Sequence, residues 1–97
     1  MPTYITLGNF TQQGIEKIRE SPSRLDAAKE SFGSMGAGIK DFYLVMGRYD
    51  LVVVSEAPDD ETATKLAMAT GSLGNVRTET LRAFTEDEYR QMIAELP

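Results

Sequence analysis

The stretch Lys40–Ala57, KDFYLVMGRYDLVVVSEA, decides the fold of this chain. Its two apolar segments are joined by Gly47–Asp50, which contains the glycine and aspartate typical of a turn. We therefore predict a β-hairpin with a two-residue turn, which places Leu44 opposite Val53. Because side chains alternate between the two faces of a strand, the same face also carries Met46, Leu51, Phe42 and Ser55.

The opposite face of this hairpin is also apolar. It carries Tyr43, Val45, Val52 and Val54. A chain of 97 residues has enough helix to cover only one face of a sheet. The second apolar face is therefore expected to meet another subunit or a ligand.

The composition argues against several classes of function. The chain has 15 acidic and 10 basic residues and a net charge of -5, and its bases are scattered, so we expect no nucleic-acid partner. It contains no cysteine and no histidine, which removes the thiolate nucleophile and the commonest metal ligand and general base. We therefore predict no metal site and no cofactor.

Length and hydropathy predict one domain over residues 1–97, with a modest core. The segment Met1–Thr6 has neither the basic residues nor the apolar run of a signal peptide. No later segment approaches the length of a membrane span. We expect a cytoplasmic protein that makes no contact with a membrane.

The remaining elements follow from periodicity and capping residues. Thr11 can cap a helical turn, and Ser21 can cap a second helix that has Pro22 at its first position. Thr85 and Glu88 have the spacing of a capping box. The predicted elements are strand Thr3–Phe10, turn Gln12–Glu20, a helix from Ser21 to the glycines at 33–38, strands Lys40–Gly47 and Asp50–Ala57, a helix from Asp59 or Asp60 to about Thr70, strand Val76–Phe84 and helix Glu86–Leu96.

The order βαββαβ with a trailing helix is that of the ferredoxin-like α+β fold. In this fold a four-stranded antiparallel sheet carries its helices on one face. The other face is the one that the hairpin leaves uncovered. Two such sheets packed face to face form a dimeric α/β barrel, so a homodimer or a larger homo-oligomer is expected.

Several blocks of the chain together resemble one family, the GYD domain family of small bacterial and archaeal proteins. These blocks are Pro2–Leu7, Phe42–Asp50, Glu56–Asp60 and Gly74–Phe84. The label of the family corresponds to Gly47, Tyr49 and Asp50. The resemblance implies the dimeric α/β barrel fold. Similar barrels include cofactor-free monooxygenases, lactone isomerases, haem enzymes and amino-acid-binding regulatory domains, so a shared fold does not identify a reaction.

Gly47–Asp50 allows two interpretations. In the first it is a turn, in which Gly47 supplies an unusual backbone angle and Asp50 binds turn amides. In the second it forms the mouth of a pocket, where Arg48 attracts a carboxylate and Tyr49 or Asp50 orients a polar group.

A second group of candidate ligand-binding residues lies on the strands. Tyr4 and Thr6 share a face of the first strand, and Thr80 lies on a common face of the last strand with Thr78 and Arg82. These polar groups are expected to point into the space between two sheets, where they bind a small molecule or form hydrogen bonds across the dimer interface. Tyr43, on the second face of the hairpin, completes the candidate site. The full set is Tyr4, Thr6, Tyr43, Arg48, Tyr49, Asp50 and Thr80.

No group of residues in the sequence identifies a catalytic reaction. We favour a self-associating α/β barrel domain, non-enzymatic or without an assigned activity, that binds a small organic ligand between subunits. One alternative is a cofactor-free monooxygenase or isomerase, with Tyr43 or Tyr49 positioning the substrate and Asp50 or Glu79 moving a proton. The other is a purely structural assembly module with a dry interface.

Overall fold

A computed structural model describes all 97 residues of the chain. It contains four strands, four α-helices and one short 3-10 turn at Ile18–Glu20. In chain order the elements are β1 (Thr3–Phe10), α1 (Gln12–Glu16), α2 (Ser21–Ser34), β2 (Gly38–Leu44), β3 (Leu51–Glu56), α3 (Asp60–Ser72), β4 (Val76–Ala83) and α4 (Glu86–Ala94). No helix is both long and apolar enough to cross a membrane.

The four strands form one antiparallel sheet in the order β2-β3-β1-β4. This order confirms the predicted ferredoxin-like α+β fold. Helices α2 and α3 pack on one face of the sheet, with α2 against β2 and α3 against β4. The α/β barrel is a property of two sheets packed together, so it stays a prediction for the single chain.

Most helix starts follow the predicted capping residues. The Thr11 side chain accepts from the Gly14 amide, and the Asp59 side chain accepts from the Thr62 amide. Thr85 and Glu88 form the predicted capping box of α4. The prediction that Ser21 caps α2 is wrong by one residue: the helix begins at Ser21 itself, because the preceding 3-10 turn runs directly into it.

The hairpin has a longer loop than the predicted two-residue turn. Leu44 pairs with Leu51 rather than with Val53. The Val45 amide donates to the Asp50 carbonyl at 2.8 Å, while the Asp50 amide donates to the Gly8 carbonyl of β1 at 2.9 Å. The bond from Asp50 to Gly8 continues the pairing of β3 with β1. Residues 45–50 form the connection between β2 and β3. The register moves by two residues, which leaves the paired side chains on their predicted faces, whereas Val45 and Met46, predicted to lie on the strand, fall in the connection.

Strand β2 contains an irregularity in its pairing with β3. The register shifts between Ile39 and Asp41, so that Lys40 is an extra residue opposite β3. This is the arrangement of a β-bulge. The Lys40 ammonium lies 3.7 Å from the Glu56 carboxylate on the neighbouring strand.

The core is small and lies between the sheet and the two covering helices. Only 7 of the 97 residues are buried, and they include Tyr4, Leu51, Ala57 and Leu66. The opposite face of the sheet has no helix over it. Helix α4 ends at Ala94 rather than at the predicted Leu96, and it also lacks a partner for its apolar side chains, since Tyr89, Met92 and Ile93 are all exposed.

Candidate functional site

A cavity of about 510 Å³ lies between the sheet and helices α2 and α3. Its walls are largely apolar. They include Phe10, Leu25, Phe32, Phe42, Val53 and Leu66. Ala27 and Ser31 on α2 and Ala69 on α3 also line the cavity and are exposed, so it opens to solvent between the two helices.

The sheet side of this cavity carries a group of hydroxyl groups. Thr6, Ser55, Thr78 and Thr80 all line it. The hydroxyl oxygens of Thr6 and Thr80 lie 3.4 Å apart, which is long for a bond between two hydroxyls. Both groups can therefore form shorter hydrogen bonds with a molecule in the cavity.

Arg24 is the single charged residue of the lining. Its guanidinium donates to the carbonyl of Lys17 at 3.2 Å and to the carbonyl of Gly14 at 3.3 Å. These bonds hold the end of α1 against the start of α2. The rest of the cavity has no ionised side chain, so its interior is neutral.

The cavity results from small side chains on both of its walls. Gly8 and Thr78 are paired on adjacent strands, at sheet positions where a large aliphatic residue would fill the core. The helices present Ala28, Ala63 and Ala67. Because leucine-sized groups are missing from these positions on both layers, the space between the layers stays open.

Tyr4 lies next to the cavity in a small polar cluster. Its hydroxyl donates to Oδ1 of Asp60 at 2.6 Å, and Nε of Arg82 lies 4.0 Å from the same oxygen. The Arg82 guanidinium also stands 5.7 Å from the centre of the Tyr4 ring. Burial, followed by the bond to Asp60, raises the pKa of Tyr4 to about 12. Tyr4 is therefore a hydrogen-bond donor at neutral pH and cannot serve as a base.

The Gly47–Asp50 segment is fixed by contacts with two strands. Gly47 has φ +114, a conformation that L side chains rarely adopt. Oδ2 of Asp50 accepts from the Phe10 amide at 3.0 Å, which ties the segment to the end of β1. The Tyr49 hydroxyl donates to Oε1 of Glu79 on β4 at 3.3 Å, and the Arg48 guanidinium lies 5.6 Å from the Tyr49 ring centre. These contacts support the interpretation of the segment as a turn.

The sequence profile of the GYD domain family matches residues 4–93. The chain belongs to the GYD domain family. Of the residues that correspond to the family label, Asp50 ties the hairpin connection to β1 and Tyr49 ties it to β4, while Gly47 provides the positive φ of the connection.

Two similar proteins come from Thermus thermophilus. One is named glutamine synthetase and cystathionine beta-lyase binding protein, and it is 36% identical over 84 residues, which are 86% of this chain and 88% of the relative. The other is a protein of known crystal structure, 29% identical, with a TM-score of 0.56 over 88% of this chain and 95% of that one.

The fold is also found in a regulatory protein. A feast or famine regulatory protein from M. tuberculosis, solved with L-methionine, superimposes with a TM-score of 0.63 at 18% identity. The match covers 90% of this chain and 54% of the regulator. At this identity the similarity shows the ferredoxin-like fold alone.

The structure of this GYD domain divides the candidate residues into three places. Thr6 and Thr80 line the cavity, with Tyr4 beside them. Arg48, Tyr49 and Asp50 lie in the hairpin connection. Tyr43 is 55% exposed on the face of the sheet that has no helices.

The expectation that Tyr4, Thr6 and Thr80 point into the space between two sheets is wrong. The register pairs Tyr4 with Ser55 and Thr6 with Val53, on the face that α2 and α3 cover. The alternation of side chains along each strand correctly predicted which residues share a face. It does not predict which of the two faces the helices cover.

Sequence reasoning missed the cavity of this GYD domain. A signal was present, because Gly8, Ser55 and Thr78 are small residues on the helix-covered face. Their effect becomes visible only when the alanines of α2 and α3 are placed opposite them. The structure contains no group of three or more acidic side chains arranged to hold a metal ion.

Proposed function

We propose that this protein is a non-catalytic binding module that works as an assembly of two copies joined through the uncovered faces of their sheets. The observation that carries the proposal is the apolar character of that face. It presents Ile5, Leu7, Val52, Val54 and Leu81, with Tyr43 beside them. Leu81 and Tyr43 are exposed and the other four side chains are half-buried, and apolar patches of this kind are typical of association surfaces.

The pairing of the strands places these side chains in continuous rows. Val54, Ile5 and Leu81 lie side by side across β3, β1 and β4. The next row continues with Val52 and Leu7. Such rows bury well against the same rows of a second chain, because a two-fold axis brings identical surfaces together.

Charged residues border the apolar rows. Asp41 ends one row on β2, and Glu79 ends the other on β4, where Arg77 lies two residues away on the same face. Charges at the border of an apolar patch favour one arrangement of partners. An interface with an apolar centre and a polar border supports a second copy of this chain as the occupant.

A role in binding other proteins is supported by the Thermus thermophilus relative. Its name states that it binds glutamine synthetase and cystathionine beta-lyase. We extend to this chain the general role of a module that binds enzymes. Helix α4, with its three exposed apolar side chains, provides an additional surface for such contacts.

The enzyme alternative gains no support from the geometry. It requires Asp50 or Glu79 to move a proton at a bound substrate. Asp50 accepts from the Phe10 amide, and Glu79 accepts from Tyr49 on the exposed edge strand. Neither carboxylate lines the cavity between the helices and the sheet, and Glu79 lies on the uncovered face, at the end of a row where a second chain would meet it.

Sedimentation equilibrium tests the proposal with a charge placed in the apolar rows. Leu81 is 41% exposed, so Leu81→Arg is compatible with the fold of the single chain. We expect the wild type to sediment as a dimer or larger assembly at micromolar concentration and Leu81→Arg as a monomer. Burying an unpaired guanidinium in the interface would cost several kcal/mol of association free energy, on the order of 2–5.

The matched control is Glu30→Arg. Glu30 is exposed on α2, in the layer opposite the proposed interface, and does not line the cavity. This variant should associate like the wild type. A wild-type chain that is monomeric at these concentrations, or a Leu81→Arg chain that still dimerises, would reject the proposed interface.

A further inference from the structure

We propose that the cavity between the sheet and helices α2 and α3 is a binding site, within a single chain, for a neutral and largely apolar small molecule that carries a carbonyl or hydroxyl group. The site is on the side of the sheet opposite the proposed interface. It therefore does not depend on the association of two chains.

The size and shape of the cavity fit a small organic molecule. Its volume of about 510 Å³ lies within the range of sites that hold drug-sized ligands, roughly 300–1,000 Å³. The aromatic rings of Phe10, Phe32 and Phe42 contribute to its wall. Contact with such rings contributes favourable binding energy for flat apolar molecules.

The charge of the lining selects the class of ligand. No carboxylate lines the cavity, and the one cation, Arg24, already donates to the carbonyls of Lys17 and Gly14. A cationic ligand would lose its hydration without gaining a partner of opposite charge, and an anionic ligand would have to compete with two backbone carbonyls for its one partner, the Arg24 guanidinium. A neutral ligand avoids this cost.

The hydroxyl groups on the sheet provide the polar recognition. The hydroxyls of Thr6 and Thr80 are 3.4 Å apart, and Thr78 and Ser55 lie on the same wall. A carbonyl or hydroxyl oxygen between Thr6 and Thr80 would form shorter bonds than the threonines form together. This contact distinguishes an oxygen-bearing ligand from a pure hydrocarbon.

The opening of the cavity lets such a ligand enter. The exposed lining residues Ala27, Ser31 and Ala69 lie on the two helices, at the boundary between them. Because these side chains are small, entry of a ligand there would require no movement of the sheet. The ligand would be covered by helices and not by the partner subunit.

Equilibrium dialysis with coumarin, a neutral bicyclic aromatic molecule that has a ring carbonyl, tests the inference. We expect the wild-type protein to bind coumarin with a Kd below about 1 mM. Coumarin-3-carboxylate, which adds an ionised group to the same rings, should bind at least about tenfold more weakly.

Two variants locate the bound molecule. Ala67→Leu fills the cavity from α3 and should weaken coumarin binding at least about tenfold. Thr80→Val keeps the shape of the side chain but removes the hydroxyl, so it should weaken binding about threefold to tenfold. Ala94→Leu makes the same change as Ala67→Leu at an exposed position of α4 and should leave binding unchanged.

Thermal denaturation of each variant separates loss of the site from loss of the fold. Filling an empty cavity should keep or raise the Tm of Ala67→Leu without ligand. If that variant does not fold, Thr80→Val carries the test.

The inference is overturned if coumarin fails to bind the wild type, or if both cavity variants bind it as the wild type does. Leu81→Arg provides the remaining comparison. A monomeric Leu81→Arg chain that binds coumarin normally supports a site within one chain, whereas loss of coumarin binding on dissociation rejects it. Failure of the wild type to dimerise rejects the proposed interface but leaves the cavity test intact.

Discussion

Tyr4 shows how one buried polar side chain links the layers of this molecule. It is 3% exposed, and its hydroxyl reaches Asp60 in the first turn of α3. A buried tyrosine hydroxyl needs a partner, and the carboxylate supplies one by a charge-assisted bond. The bond fixes the start of α3 over β1.

Tyr4→Phe should lower the free energy of unfolding by about 1 kcal/mol, because it removes the donor from this bond and leaves the exposed Asp60 to water. Urea denaturation at neutral pH measures the change. The control is Tyr89→Phe, at a position that is 59% exposed, which should be nearly neutral. Equal stability of Tyr4→Phe and the wild type would show that the bond contributes nothing.

The difference in unfolding free energy between the wild type and Tyr4→Phe should depend on pH in one direction. The pKa of Tyr4 is raised from 10.0 to about 12 on folding, chiefly by burial. The stabilisation is therefore complete below pH 10 and lost as the pH rises towards 12. The stability gap between the wild type and Tyr4→Phe should shrink over this range.

Single elements were largely predictable from the sequence. Strand β1 and the caps at Thr11, Asp59 and Thr85 depend on nearby residues, so local patterns reveal them. The pairing of Leu44 with Leu51 was not predictable, because a backbone bond from Asp50 to Gly8 on another strand sets it. The cavity was missed for a related reason, since it depends on residues of two layers that are distant in sequence.

Gly14→Ala tests how closely two elements approach each other. Gly14 of α1 is buried against the residue before β4, and an added Cβ would overlap the Asn75 carbonyl oxygen. That carbonyl also accepts from the Thr11 amide at 3.0 Å, so it cannot move freely. We expect a loss of about 1–3 kcal/mol in unfolding free energy, measured by urea denaturation.

The control for this substitution should change the free energy of unfolding in the opposite direction. Gly33 lies in α2 with nothing within 4 Å of an added Cβ. Gly33→Ala should therefore stabilise the protein by about 0.5–1 kcal/mol, as alanine does in helices. A neutral Gly14→Ala would mean that α1 and β4 are farther apart in solution.

At the scale of the whole molecule, the single chain is extended and poorly buried. Its radius of gyration is 14.6 Å, against about 12.5 Å for a compact chain of this length. The long dimension is 52 Å and the shortest 18 Å. These dimensions describe a two-layer slab with one apolar face free, and under the proposed association this slab would gain stability from its partner.

The melting temperature should therefore depend on protein concentration. Association stabilises the folded chain by mass action, so a hundredfold increase in wild-type concentration should raise the Tm by roughly 5 °C or more. Differential scanning calorimetry measures this shift. Leu81→Arg should melt at a lower temperature that does not change with concentration, and the same dependence in both proteins would argue against the sheet interface.

The bulge at Lys40 has a consequence for protection against aggregation. Strand β2 is at the edge of the sheet, where unpaired amides and carbonyls could recruit strands of other chains and grow into fibrils. The extra residue breaks the regular spacing of these groups, and the exposed charges of Lys40 and Asp41 repel an incoming apolar strand. A protein that must keep one apolar face available thus has an edge that resists uncontrolled polymerisation.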